Sequence, residues 1–544
     1  MNQMRINVAG LLVAGCALAC GGEPQLEERE SPRAKVVFVG IDGATWDVID
    51  PMIERGELPN FAKLAARGRR TRLIALPPLS SPIVWTTMAT GTFPRSHGIL
   101  GFTFPFGPSP KARPVDSSMR RDPAIWNIAT TYGKRVGQIG YFVSHPPDEV
   151  DGFILTDRFH QRVPGSSFPT GIQAELDGAF SGRAARDALL GRFLPWDYSP
   201  AAAKDTTDPK HTASLIVSGR VDEVVERDEI YRRATMELLD RPVDLFTTYF
   251  RVVDHSSHAT WRYFDDSKFD EPTDETDKAL LGGIIPEAYR YMDDMLGELV
   301  ERCGEDTNIV IVSDHGFGPA TKDYEVAEGK GMVLSGNHRH DGIFLAAGPD
   351  IRPGQGDEII TIMDVTPLLL TLVGLPISDE LPGRVIEEVL RPGLLEEWPI
   401  ERVPAYDMDW HAGNEVAVPE QAEEDMLEML QELGYIDDDL EAGDADDLSS
   451  ENVVDFWEVG IITRRHVLVG ELTYYLLHDE VERARELLAV IEERDPENAL
   501  HMPQRVAGLL GAIEFELGRE PGSLATEGLL GRAGLLPESS PVND

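Results

Sequence analysis

Short apolar runs that stop at an aspartate recur along the chain. The clearest is 308–312, which leads through Ser313 to Asp314, His315 and Gly316. A short apolar run rich in β-branched residues predicts a strand buried on both faces, as in a parallel sheet. Ligands of such sheets bind just beyond the carboxyl ends of the strands. Asp314 and His315 therefore stand where chemistry occurs, unless the aspartate only caps a turn and the histidine only fills space.

Two further runs repeat this pattern. Residues 36–41 lead to Asp42, and residues 245–253 lead to Asp254, with His258 four positions later. A helix beginning there would place Asp254 and His258 on one face. His255, between them, is interpreted as a bystander. Carboxylates beside imidazoles suit a borderline metal ion, so three strands ending in aspartate predict a metal site more strongly than any one alone.

Helical and strand-like segments separate these runs. Residues 46–67 and 359–375 have apolar positions at helical spacing, whereas 135–141, 152–157 and 343–347 are short apolar runs. The alternation predicts an α/β fold with a mostly parallel central sheet flanked by helices.

The charge of the chain limits its partners. It contains 94 Asp and Glu against 50 Lys and Arg, a formal net charge of −44. Such a surface repels nucleic acid and anionic lipid, so we expect neither as a bulk partner. It also repels anionic substrates, so a phosphate-containing substrate would need a local positive centre of the kind that a bound metal supplies.

The first twenty residues have the features of a bacterial export signal. Arg5 precedes an apolar stretch that is too short to span a bilayer, and small residues precede Cys16 and Cys20. Either cysteine resembles a lipoprotein processing site. We expect an exported protein held at the outer membrane or in the periplasm by a lipid anchor alone; a plain cleaved secretory signal is the alternative. The third cysteine, Cys303, is interpreted as a buried filler.

A serine pair precedes a predicted helix. Ser80 and Ser81 are followed by Pro82, and the helix would end at Gly91. Free N–H groups at such a helix start suit a phosphoryl oxygen, although a serine there is often only a cap. No Gly-x-Ser-x-Gly elbow is present, so metal coordination would have to activate a nucleophilic serine. The local sequence does not choose between the two serines.

Together the motifs resemble the alkaline phosphatase superfamily, and within it the type I phosphodiesterase/nucleotide pyrophosphatase family. The resemblance covers about residues 35–390. It rests on Gly40-Ile41-Asp42-Gly43, Ser80-x-Pro82, Thr90-Gly91, Ser96-His97-Gly98-Ile99, Asp254-x-x-x-His258, Ser313-Asp314-His315-Gly316, Gly336-Asn337-His338 and Asp364-Val365-Thr366-Pro367. By local sequence alone, His340 competes with His338 as a metal ligand.

The resemblance implies two divalent metal ions, usually zinc and about 4 Å apart, and nitrogen and oxygen ligands also suit manganese. By residue matching, one ion would be bound by Asp254, His258 and His338, and the other by Asp42, Asp314, His315 and Ser80. The family nucleophile stands two residues before a proline, which favours Ser80 over Ser81 and implies a phospho-serine intermediate.

Two departures from the family pattern bear on the substrate. Nucleotide pyrophosphatases have an asparagine that contacts phosphate at the position of Phe102, and the aromatic pair that stacks the nucleotide base is not identifiable here. The chain also has Val84 where sulfatases have an arginine, which argues against sulfatase activity.

We therefore expect hydrolysis of a phosphodiester or pyrophosphate bond in a small-molecule or lipid substrate. A phosphate or phosphonate monoesterase, or an inactive metal-binding surface protein, are the alternatives.

The length of the chain predicts several regions. Residues 456–520 either bind a protein partner or pack on the catalytic domain as a cap; the second is favoured, since only one or two repeat units fit. The expected regions are a signal peptide at 1–20, a flexible tether at 21–34, an alkaline-phosphatase-like catalytic domain at 35–395 with a cap insertion at about 159–233, an acidic linker with one helix at 396–455, a helical, tetratricopeptide-like region at 456–520 and a disordered tail at 521–544.

Overall fold

The structure is a computed structural model. It describes residues 33–106, 111–180, 182–196, 210–320, 335–408, 418–432, 456–524 and 527–535, with isolated positions between 198 and 208, residue 410 and the pair 441–442. The predicted signal peptide, including Cys16 and Cys20, and nearly all of the predicted tether lie outside the described residues.

The described residues form a mixed α/β structure. Its strands are β1 Lys35–Ile41, β2 Arg69–Ile74, β3 Thr103–Phe104, β4 Lys111–Pro114, β5 Val136–Ile139, β6 Gly152–Leu155, β7 Ser167–Phe168, β8 Leu245–Phe250, β9 Thr307–Val312, β10 Gly316–Pro319, β11 Gly336–Arg339, β12 Asp341–Ala347, β13 Gly354–Gln355, β14 Ile360–Thr361, β15 Ile377–Ser378, β16 Arg402–Val403 and β17 Glu441–Ala442.

Helices alternate with these strands and then dominate the C-terminal part. They are α1 Trp46–Glu54, α2 Pro59–Arg67, α3 Ser81–Thr90, α4 Pro94–His97, α5 Ile125–Thr131, α6 Ile172–Glu175, α7 Arg183–Phe193, α8 His211–Val217, α9 Val221–Leu238, α10 Val252–Phe264, α11 Glu275–Leu281, α12 Ile284–Cys303, α13 Val365–Val373, α14 Leu394–Glu397, α15 Glu420–Glu432, α16 Ile461–Leu477, α17 Val481–Arg494, α18 Pro496–Ala499, α19 Met502–Glu516 and α20 Glu527–Arg532.

The central sheet brings the three aspartate-ending runs side by side. Its strand order is β13-β2-β12-β9-β1-β8-β5-β6-β7, with β14 also paired to β2. The five strands from β9 to β6 are parallel, and β12 and β7 run antiparallel to their neighbours in this group. Every residue of β8 and β9 is buried. This agrees with the predicted fold, and it places the carboxyl ends of β9, β1 and β8 next to one another.

Several predicted boundaries are wrong for local reasons. The helix predicted over 46–67 is two helices, because Gly56 turns the chain at a positive φ of 75° before Pro59 starts α2. The strand predicted to end at 253 stops at Phe250. The helix predicted over 359–375 begins only at Val365, because residues 360–361 pair with β2 instead.

The C-terminal helices pack on the catalytic region. Leu468 and Leu472 of α16 are fully buried in the same hydrophobic cluster as Trp85 and Leu368 of the sheet region. Residues of α16 therefore share a hydrophobic core with the sheet region, and the choice between a cap and a partner-binding region stays a prediction. The predicted disordered tail is wrong for part of its length, because α20 forms there and Leu535 just beyond it is fully buried. A search of the described residues for a helix long and apolar enough to cross a membrane finds none.

Candidate metal centre

The candidate site lies beyond the carboxyl ends of β9, β1 and β8. Asp42 directly follows β1, and Asp314 stands two residues beyond β9. After β8 the chain enters α10, whose first turn carries Asp254 and whose second carries His258. The helix supplies the common face that the spacing of these two residues requires.

Gly43 allows these segments to approach one another. Its φ is +72°, and a Cβ at this position would lie 2.9 Å from the Cα of Asp254. Only glycine accepts both the conformation and the contact without strain. Its N–H also donates to Oδ1 of Asp314 at 3.3 Å, which orients that carboxylate.

One group of side chains forms a close triangle. Nε2 of His258 lies 2.8 Å from Nε2 of His338 and 3.5 Å from Oδ1 of Asp254. Nε2 of His338 lies 3.5 Å from the same aspartate oxygen. Three ligand atoms at this separation can share one metal ion.

A second group lies beside the first. Nε2 of His315 is 3.3 Å from Oδ1 of Asp42 and 3.5 Å from Oδ2 of Asp314. It is also 3.9 Å from Oδ1 of Asp254, so His315 stands between the two groups. The rings of His315 and His338 stack with centroids 3.6 Å apart. All six side chains implied by the family resemblance are therefore adjacent.

The three imidazoles are oriented by backbone carbonyls. Nδ1 of His258 faces the oxygen of Gly336 at 3.2 Å, that of His315 the oxygen of Gly316 at 3.1 Å, and that of His338 the oxygen of Leu79 at 2.8 Å. A carbonyl only accepts, so each Nδ1 carries the hydrogen and each Nε2 presents a lone pair. This is the state of a metal-binding histidine.

The electrostatics of the site favour a cation. Burial and, after it, the nearby carboxylate of Asp254 together raise the pKa of Asp42 to about 6. Burial and the proximity of Asp42 also hold the pKa of Asp314 well above its usual range. Burial opposes the ionisation of Asp254, but the imidazoles of His258 and His338 outweigh it and lower the pKa of that carboxyl. A bound cation would relieve the repulsion among these carboxylates.

Buried polar atoms without hydrogen-bond partners are a second observation that indicates divalent metal ions. Among the described residues, Oδ1 of Asp42, Oδ2 of Asp314 and Nε2 of His315 have no hydrogen-bond partner although they are buried. Buried polar atoms are normally paired. Here the unpaired atoms are those turned toward the other ligands, and together they make a nitrogen and oxygen donor set that suits zinc or manganese.

Two aromatic residues with no predicted role hold Asp42. The hydroxyl of Tyr249 and the indole N–H of Trp85, at 3.3 Å, both donate to Oδ2 of this aspartate. The sequence shows Tyr249 as part of a buried strand, and its hydroxyl, which needs a partner when buried, is the one signal of this role. These donors leave Oδ1 directed at His315.

Ser80 lies at the start of α3, and its hydroxyl is not used to cap that helix. It occupies the N-cap position, but its side chain makes no capping hydrogen bond. Its Oγ is buried without a hydrogen-bond partner in the part of the chain that the structure describes. The preceding carbonyl, of Leu79, contacts His338, and Trp85 of α3 contacts Asp42, so both sides of Ser80 are tied to the candidate ligands. Ser81 is the first residue of α3 and is buried.

The remaining histidines of this region point elsewhere. Nδ1 of His340 faces the oxygen of Ala75 at 2.9 Å, and its backbone N–H donates to Glu516. His255 is buried beside Asp254, but the short distances that join the candidate ligand atoms do not include it. The geometry thus brings His338, and neither His340 nor His255, to the other ligands.

The sequence matches the family model of type I phosphodiesterase / nucleotide pyrophosphatase over residues 36–356, more than half of the chain. The chain belongs to this family. It is therefore a hydrolase that acts on phosphoric ester bonds, and the matched segment contains all six candidate ligands and Ser80.

Similarity to solved structures is low in sequence. Murine ectonucleotide pyrophosphatase/phosphodiesterase 5 is 15% identical with a TM-score of 0.39, covering 66% of this chain and 100% of its own. The human protein of that name is 16% identical with a TM-score of 0.38 and the same coverage. Phosphonoacetate hydrolase from Sinorhizobium meliloti 1021 is 20% identical with a TM-score of 0.32, covering 53% of this chain and 57% of its own. No curated protein matches the chain.

Proposed function

We propose that the chain hydrolyses phosphodiester or pyrophosphate bonds through Ser80 at a centre of two divalent metal ions, with zinc as the first choice. The observation that carries this proposal is the way in which backbone carbonyls orient the three candidate histidine ligands. Nδ1 of each of His258, His315 and His338 faces a backbone carbonyl, and each Nε2 lies 3.3 to 3.9 Å from aspartate oxygens.

The proposed ligand sets are those implied by the family resemblance. Asp254, His258 and His338 would hold one ion, and Asp42, Asp314 and His315 the other. When bound, the ions would lower the pKa of the serine hydroxyl, neutralise the phosphoryl oxygens and activate water for the second step.

The residues of the chain supply position and charge. The Oγ of Ser80 would attack phosphorus, forming an O–P bond as the bond to the leaving oxygen breaks in line with it. The start of α3 presents the positive end of its dipole to the transferred group. Tyr249 and Trp85 hold Asp42 in place throughout. Water would then cleave the phospho-serine bond and restore the hydroxyl.

A substrate panel tests this proposal. The zinc-loaded protein would be assayed with bis-p-nitrophenyl phosphate, p-nitrophenyl phosphate and p-nitrophenyl sulfate, with and without EDTA. We expect turnover of the diester above that of the monoester, none of the sulfate, and loss of activity with EDTA. A preference for the monoester would instead support a phosphate monoesterase. Bound zinc without turnover of any substrate would contradict the proposal and favour a metal-binding surface protein.

A further inference from the structure

Two buried arginines lie beside the candidate metal centre and take no part in the proposed reaction. Arg251 connects β8 to α10, three residues before Asp254, and its side chain is 4% exposed. Arg227, on α9, is also 4% exposed. A charged residue at the end of an otherwise apolar strand run is unusual, because arginine is rarely fully buried without pairing.

Arg251 is linked directly to the metal centre. Its Nε donates at 3.2 Å to the hydroxyl of Tyr249, which in turn donates to Asp42. The opposite nitrogen, Nη2, is buried and has no hydrogen-bond partner among the residues that the structure describes. A buried guanidinium nitrogen whose N–H groups have no acceptor costs free energy unless an acceptor binds there.

Arg227 flanks the same tyrosine. Its guanidinium carbon lies 5.5 Å from the ring centre of Tyr249, and that of Arg251 lies 5.6 Å from it. Arg227 pairs with Asp228 at 2.5 Å and donates to the oxygen of Gly140 at 3.3 Å. Its Nε, however, is buried without a partner in the described part of the chain.

The neighbouring carboxylate does not satisfy both arginines. Oδ1 of Asp228 accepts from the side chain of Arg227, and Oδ2 accepts the backbone N–H groups of Arg251 and Val252 at 2.8 and 2.7 Å. The side chain of Arg251 therefore has no carboxylate hydrogen-bonded to it among the described residues. Arg158 is also buried nearby, but it lies close enough to Glu423 for its charge to offset part of the rise that burial causes in the pKa of that carboxyl.

Aromatic rings pack around Arg251. Its guanidinium lies 3.9 Å from the ring centre of Phe142, which packs edge-on against the half-buried Phe102 with centroids 6.3 Å apart. Phe142 follows β5, the strand next to β8 on the side away from β1. Adjacent strands are about 4.8 Å apart, so Phe142 and Arg251 lie within one to two strand spacings of the candidate metal ligands.

We infer that Arg251 and Arg227 bind a second anionic group of the substrate, a carboxylate or a phosphate carried on the part of the molecule that does not react. The inference rests on the proposed function and narrows its substrate class to phosphoesters with a further negative charge. The planar N–H edge of a guanidinium matches both kinds of oxyanion. It also gives the strongly acidic chain a local means of holding a multiply charged substrate.

Binding of matched phosphonates to the zinc-loaded protein tests the inference. Butylphosphonate, 4-phosphonobutyrate and butane-1,4-bisphosphonate differ in the charge at the far end of the chain. We expect at least one of the two doubly acidic ligands to bind about tenfold or more tightly than butylphosphonate in calorimetric titrations. The tighter of the two identifies a carboxylate or a phosphate as the preferred group.

Substitutions assign the preference to the arginines. In Arg251→Met the preference, taken as the ratio of affinities within the one variant, should vanish, and Arg251→Lys should retain part of it. Arg262→Met, in the last turn of α10, is the matched control and should bind like the parent protein. Arg227→Met serves as a second variant, and thermal unfolding verifies that each variant is folded.

Equal binding of the three ligands, binding of none of them, or a preference that survives in Arg251→Met would overturn the inference. Failure of the proposed function gives a different result. In that case diesters are not hydrolysed, while the ligand comparison still decides whether the arginines bind an anion.

Discussion

At the scale of single residues, the candidate ligand His315 differs from buried structural residues in where its polar atoms are directed. The buried His97 uses both ring nitrogens within the protein, with Thr87 Oγ1 at 3.0 Å and the N–H of Ile99 at 3.2 Å. Asp293 likewise accepts hydrogen bonds at both oxygens from residues 60 and 61. His315, by contrast, has one nitrogen on a carbonyl and the other facing two aspartates.

Metal content should follow the two proposed ligand sets. We expect the parent protein to bind two zinc ions per chain, and His258→Ala or Asp42→Asn to bind about one each, because each loses one of three protein ligands of a single ion. Mass spectrometry of bound metal after dialysis measures this. His255→Gln, a buried neighbour outside the ligand sets, should retain both ions. Full occupancy in His258→Ala would contradict the ligand assignment.

The stability of the metal-free protein should depend on pH through Asp42. Its pKa rises from 3.8 to about 6 on folding, so the folded state holds its proton more tightly and this contribution is lost as the pH rises from about 4 to 6. Above pH 6 the buried charge costs about 3 kcal/mol. In EDTA, Asp42→Asn should therefore be more stable than the parent at pH 8 and similar at pH 4.

Urea unfolding at the two pH values measures this difference. With zinc present the order at pH 8 should reverse, because the variant loses a ligand. A metal-free variant that is less stable than the parent at pH 8 would show that the carboxylate is not repelled in the folded protein.

The positions of the candidate ligands could be anticipated from local sequence, but their partners could not. Asp42, Asp314 and Asp254 each follow a buried apolar run, and the sheet brings such ends together. Tyr249 meets Asp42 across 207 positions of the sequence. Such a contact depends on the order of strands, which periodicity does not give. For the same reason, the choice between His338 and His340 needed the turn between β11 and β12.

At the scale of elements, α4 and the residue before it connect the catalytic region to the C-terminal helix α16. Arg95 on α4 forms a two-pronged pair with Glu471 on α16, at 2.6 and 2.8 Å, and Glu471 is fully buried. Phe93 packs edge-on against both Tyr474 and Tyr475 of α16, with centroids 5.5 and 5.6 Å apart. These contacts hold α16 against the segment that follows α3, the helix that begins next to Ser80.

Removing Arg95 should weaken this attachment. Arg95→Met would leave the carboxylate of Glu471 buried with Tyr475 as its remaining side-chain donor, and we expect the free energy of unfolding to fall by about 2 kcal/mol. Urea denaturation measures the change. Arg485→Met, which breaks an exposed pair with Glu482, is the control and should leave stability unchanged. Equal effects of the two substitutions would contradict the account of this interface.

Sequence patterns predicted whether a segment is a helix more accurately than they predicted the residues at which the helix begins and ends. The helical character predicted for 456–520 agrees with α16, α17 and α19, and the apolar positions of α17 repeat regularly. The single helix predicted over 46–67 failed because Gly56 and Pro59 break a pattern that is otherwise continuous. The attachment of α16 was not predictable in detail, since it depends on a buried ion pair between positions 95 and 471.

At the scale of the whole molecule, the C-terminal helices share one hydrophobic core with one face of the sheet. We therefore expect the chain to unfold in a single calorimetric transition, and a chain that ends at 455 to aggregate or to unfold at a lower temperature, because its exposed core face would need a cover. Two separate transitions, or an unchanged unfolding temperature after truncation, would show that the helices form an independent unit. A partner of these helices stays a prediction.

The most direct test of the central claim is the rate of diester hydrolysis in the two serine variants. Zinc-loaded parent, Ser80→Ala and Ser81→Ala proteins would be compared with bis-p-nitrophenyl phosphate, each before and after removal of metal and after its return. We expect Ser80→Ala to lose activity by at least about a thousandfold while still binding zinc, Ser81→Ala to keep most of it, and the parent to lose and regain activity with the metal. Activity that survives in Ser80→Ala, or that does not depend on metal, would contradict the account.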